Sequence, residues 1–224
     1  HLSTSYVRGK WANSKKCHTT MLLAKCCHDI DLMMWFMSET KPVQIASFGG
    51  KYQFKPENAP DGAGNICMVD CPHVDTCVYS TKRLYIDHPD RWAFYVWDKL
   101  EHIENPTIED KIALMKSDSP YARCIYKCDN DVVDNQTVIM QFENGVTATL
   151  KMEAFVKQGG RDIRFFGTEG ELELREHEGT ITLKKYLGED TVWKISDLTD
   201  DLEGHGGGDH RMIDELYDIM TGKK

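Results

Sequence analysis

The stretch LLAKCCHDIDLMMW, Leu22 to Trp35, sets charged side chains inside an apolar segment, where they must either reach solvent or line a site. Lys25, His28, Leu32 and Trp35 recur at spacings of three and four residues, which on a helix puts them along one face. A lysine beside a histidine can serve proton transfer at a hydroxyl or carbonyl carbon, because imidazole changes charge near neutral pH. The competing reading of the same stripe is a solvated polar face.

Three further clusters carry chemistry-bearing residues. GHGGGDH, Gly204 to His210, surrounds His205 with glycines that let backbone approach a ligand, and Asp209 is placed to cap the helix that follows. A flexible connector is the plainer alternative. Cys67, Cys71, His73 and Cys77 offer soft metal ligands that Cys124 and Cys128 can supplement. Their spacings include no C-x2-C knuckle, so thiols packed in an irregular region are expected and no metal site is assigned. DNDVVDNQ, Asp129 to Gln136, concentrates carboxylates and amides. Turn chemistry comes first there, and ligand-facing roles for Asn130 or Asp134 come second.

The elements that must position these residues are legible in part. Apolar positions 22, 23, 26, 27, 30, 33, 34 and 37 predict one helix, with Thr19 or Thr20 as its N-cap and its apolar majority against a sheet. VQIASFGGKYQF, Val43 to Phe54, reads as a strand. Residues 55–135 hold six of the seven prolines and read as a long irregular excursion with short helical pieces such as TIEDKIALMK. From Gln136 the pattern alternates, with a hairpin signal at Asn144-Gly145 and further strands turning at Gly167, Gly170 and Gly179. GHGGGDHRMIDELYDIM then leads into an amphipathic helix with Ile213, Leu216, Tyr217 and Met220 on its stripe. These elements predict an α+β fold, with an open, mostly antiparallel sheet, helices on one face, and a single domain over 1–224.

Composition narrows the function classes. An apolar fraction of 41% supports a real core, while a net charge of −9 argues against a nucleic-acid partner. No apolar run reaches the roughly 18 residues of a membrane span. The first residues lack the apolar core of an export signal, so a cytoplasmic chain with reduced thiols is expected. GAGNIC at Gly62 follows a proline-rich loop, out of context for a nucleotide loop, and no Walker loop, G-x-S-x-G or H-E-x-x-H occurs.

KCCHDIDLMMWFM, CDNDVVDNQTVIMQFENGVTATLKMEAF, RDIRFFGTEGELEL and GHGGGDHRMIDELYDIM, taken in order, resemble the C-terminal half of the Gfo/Idh/MocA family of glucose-fructose oxidoreductases and inositol 2-dehydrogenases. The resemblance implies an NAD(P)-dependent dehydrogenase acting on a secondary alcohol or carbonyl of a sugar or polyol. A separate Rossmann domain would hold NAD or NADP, and the present domain would supply substrate contacts and a homo-oligomer interface on the open sheet face. It implies that His28 is the acid/base beside the nicotinamide. The Asp that many members carry four residues earlier is Ala24 here, so Lys25 is the substitute. His205, Trp35, Asn130 and Asp134 are the expected substrate contacts. The family's Glu-Lys-Pro motif and a dinucleotide fingerprint are absent from these residues, so the chain is expected to be inactive alone. The alternative is a non-catalytic ligand-binding and dimerisation module.

Overall fold

The computed structural model describes residues 3–88, 96–97, 99–156, 159–199 and 207–223. The chain divides into two compact units, His1–Phe155 and Val156–Lys224. The fold is α+β, as expected, and its strands are distributed over two antiparallel sheets, β1-β2-β3 and β4-β5-β6-β7.

In the first unit, Thr20 caps the short helix α2 (Met21–Lys25) by accepting from the Leu23 N–H, as α1 (Ser14–Cys17) is capped by Asn13. The single helix expected from residue 22 onward is instead α2 followed by α3 (Cys27–Phe36), separated at Cys26. Cysteine is a weak helix former and two stand together here. The Cys26 N–H still reaches Leu22 O and the Ile30 N–H reaches Cys26 O, so the interruption is local.

The first sheet consists of β1 (Pro42–Gly50), β2 (Asn135–Phe142) and β3 (Thr147–Glu153). Val138, Met140 and Phe142 alternate along β2 and are buried against Leu22, Ile30, Met33, Met34 and Met37, which are the apolar positions of the helical pattern. Cross-strand pairing puts Ile139, opposite Ala46, on the other face together with Phe48, and both are exposed. Asn144-Gly145 forms the hairpin turn between β2 and β3. Gly145 adopts φ 84, and the Asn144 side chain accepts from the Val146 N–H.

Residues 55–135 contain short helices, α4 (Cys67–Asp70) and α5 (Ile108–Met115), with a π turn between them and 3-10 turns on either side. A capping box between Thr107 and Asp110 fixes the start of α5. The second unit holds the meander β4 (Asp162–Phe166), β5 (Gly170–Arg175), β6 (Thr180–Lys185) and β7 (Thr191–Lys194), and helix α6 (Gly208–Met220). Its pairing puts Ile163, Phe165, Leu172, Leu174, Ile181 and Leu183 on one half-buried face. Arg164, Glu171, Glu173, Arg175 and Lys184 occupy the opposite face. Gly207, at φ 82, is the N-cap of α6. Asp209 lies inside the first turn, which corrects its expected capping role: the glycine's left-handed backbone starts the helix two residues earlier. The apolar stripe of α6, including Ile213, Leu216, Tyr217 and Met220, is exposed.

Candidate functional site

Lys25 ends α2 and His28 lies in the first turn of α3. Both are exposed, because Leu22, Ile30, Met33 and Met34 take the sheet-facing side and leave this stripe turned away from the core. Trp35 continues the stripe at 68% exposure, its ring 5.1 Å from that of Phe36. The two helices thus present an ammonium, an imidazole and an indole to the surface, on a support fixed by a packed sheet.

The loop Asp129–Asp134 neighbours this helix pair, since Val132 packs with Met21 against Ala24 and Val133. Its acidic residues are already engaged. Asp129 pairs with Lys16, whose ammonium, with the Asn13 amide, holds the carboxyl below its ordinary range. Asp131 accepts from Ser14 N and Oγ at 2.7 Å each. Asp134, 1% exposed, accepts from the Tyr52 N–H at 2.9 Å and the Gln53 N–H at 2.8 Å, fixing the chain where it leaves β1. Turn and tie chemistry thus occupies most of this loop, as its composition first suggested.

Asn130 differs. It is 5% exposed, its backbone carbonyl accepts from Lys51 Nζ at 2.7 Å, and neither Nδ2 nor Oδ1 has a hydrogen-bond partner. A buried amide left in that condition can both donate to and accept from an incoming hydroxyl. Lys25 on α2 and His28 and Trp35 on α3 are all exposed, and the loop of Asn130 and Asp134 reaches α2 through Val132. His205 lies outside the described residues.

The cysteine-bearing segments assemble at a separate place in the first unit. Cys67, Cys71, His73, Cys77 and Cys124 line one cavity together with Arg8. Sequence reasoning overlooked Arg8. The only trace of it was a cation closing the apolar pair Tyr6-Val7. All eight cysteines are free thiols. Burial pushes the Cys128 thiol up to about 11, and the Cys124 thiol is raised for the same reason.

No helix among the described residues is long and apolar enough to cross a membrane. The family model described as the C-terminal alpha/beta domain of the Gfo/Idh/MocA oxidoreductase family matches residues 2–224. Among curated proteins, none matches the chain. A crystal structure of an inositol dehydrogenase homologue from Azotobacter vinelandii, complexed with NADH and myo-inositol, is similar at 23% identity. That similarity covers 28% of this chain and 17% of the other, with a TM-score of 0.26.

Proposed function

Because the chain belongs to the Gfo/Idh/MocA oxidoreductase family as its C-terminal alpha/beta domain, we propose that it is the substrate-binding half of an NAD(P)-dependent oxidoreductase. The substrate is a sugar or polyol, reacting at a secondary alcohol or the corresponding carbonyl. The observation that carries this reading is the exposed Lys25 and His28 pair on a sheet-backed helix stripe. His28 takes or returns the hydroxyl proton, and Lys25 is the second cation at the same oxygen. The unpartnered amide of Asn130 has the donor and acceptor that a hydroxyl would need.

The described residues do not fit a dinucleotide: both sheets are antiparallel, and no strand, glycine-rich turn and helix occur in the order that binds a pyrophosphate. The chemistry assigned to this chain is therefore the proton's, and the chain alone is inactive. His28→Asn in the complete protein tests the assignment, with turnover measured over a panel of polyols and both nicotinamide cofactors. A loss of about 10²–10⁴-fold is expected. Unchanged turnover on a substrate of the native enzyme would remove His28 from the mechanism.

A second reading, a ligand-binding and dimerisation module without turnover, is favoured by the sheet face opposite α3, where Phe48 is 72% exposed. The same face serves self-association under either reading.

A further inference from the structure

Strand β1 lies at the edge of its sheet. It pairs with β2 along one side, and among the described residues no backbone group pairs with its other side. Such an edge presents a row of N–H and C=O groups to any further strand, and proteins commonly block it with charge, proline or a bulge. The other three free edges of the described sheets carry charge: Lys151 and Glu153 on β3, Asp162 and Arg164 on β4, Lys194 on β7. β1 reads PVQIASFGG and carries none. Pro42 stands at its start, next to a register irregularity between Pro42 and Gln44, which leaves Gln44 to Gly50 regular and unblocked.

The side chains of β1 lack neighbours on both faces. The core beneath the helices joins Val138, Met140 and Phe142 of β2 with Ala148 and Leu150 of β3, and takes no residue of β1. On the helix side Ile45, paired with Met140, is 62% exposed. On the opposite side Phe48 is also exposed. A helix laid on one face would leave the other in water, whereas a further strand gives cross-strand neighbours to both.

A second copy of β1 fits this edge. Overlapping the two regular segments in full runs them antiparallel about a two-fold axis at Ser47. Gln44 then lies opposite the partner's Gly50, Ile45 opposite the partner's Gly49 and Ala46 opposite the partner's Phe48. On each face a large side chain meets a small residue, so the strand is complementary to itself. A net charge of −9 drives copies of the chain apart, and an uncharged strand is where they can meet. Lys51, just beyond the strand, is held by its own chain, donating from Nζ to Asn130 O at 2.7 Å.

We propose that two copies of the protein join edge to edge through β1, extending the β1-β2-β3 sheet across a two-fold axis at Ser47. Main-chain hydrogen bonds supply the contact, and the alternation of large and small residues sets its register. This contact is distinct from stacking of the open sheet face. Stacking buries Phe48 and Ile139 and leaves the outward N–H groups of β1 in water, whereas edge pairing protects those groups.

The test is sedimentation velocity of the complete protein, with hydrogen exchange read along β1 below and above the association range. A concentration-dependent dimer is expected, in which the β1 amides directed away from β2 exchange at least tenfold more slowly than in the monomer. Ser47→Lys sets two ammonium groups opposite each other at the axis and should weaken the dimer at least tenfold. Ser47→Glu should do the same, and an equal mixture of the two variants should restore association. Ser47 lies on the helix side of the sheet, opposite Val138, so a contact through the open face would be untouched by either change. A protein that stays monomeric, a dimer whose outward β1 amides exchange as in the monomer, or outward amides already protected in the monomer would each overturn the proposal. So would variants that dimerise as the native protein does, or a mixture that fails to associate. Exchange on the native protein decides the matter even where a variant fails to fold. None of these readouts depends on the activity assigned to His28.

Discussion

At the scale of single residues, a polar side chain's role here follows from whether its bonds are already made. Asp134 and Asn130 come from the same polar string, yet the carboxylate of Asp134 is filled by two backbone N–H groups while both side-chain atoms of Asn130 lack a partner. Asp134→Ala leaves the part-buried Tyr52 and Gln53 N–H groups without this acceptor, so it should lower stability by about 1–2 kcal/mol in denaturant unfolding. An unchanged midpoint would contradict the tie. His28, by contrast with both, is an exposed residue of α3.

The elements differ in how their faces are satisfied. In the β4–β7 sheet, Glu173 accepts from Lys184 Nζ and from Arg175 Nη2, each at 2.7 Å. The lysine first and the arginine second hold its carboxyl down to about 2, from an ordinary 4.5. A carboxyl depressed in the folded state contributes stability that is complete above its unfolded value and is lost as pH falls through the folded one. Acid unfolding should therefore show a contribution fading from about pH 4.5 to about 2 that is absent in Glu173→Gln. A Glu173 carboxyl titrating at its ordinary value by nuclear magnetic resonance would refute the arrangement. The first sheet is organised differently: one face packs Val138, Met140 and Phe142 beneath the helices, and the other leaves Phe48 and Ile139 in contact with water.

For the molecule as a whole, these exposed apolar side chains lead to a prediction about assembly. A sheet covered on one face and carrying Phe48 at 72% exposure on the other suits association with a second copy. Phe48→Glu should weaken self-association at least tenfold in sedimentation velocity without changing the unfolding midpoint of the monomer. A native chain that sediments as a monomer at every concentration would remove the interface.

Local signals determined much of this protein from the sequence by itself. Asn144-Gly145 specifies its hairpin because an N-G pair tolerates the required backbone. The apolar positions from Leu22 to Met37 specify which side of the helices packs, because helical period is a property of neighbouring residues. The family, too, was legible from four ordered strings. The division of the strands between two sheets and the ties of Asp134 were decided by contacts between segments far apart in the chain. The thiol cavity shows this most clearly. Cys67 and Cys124 stand far apart in sequence, and Arg8 comes from a third segment. Only folding brings the buried Arg8 guanidinium, with its unpartnered Nη1, and four cysteines to one cavity, because burial and charge depend on what surrounds a group in space.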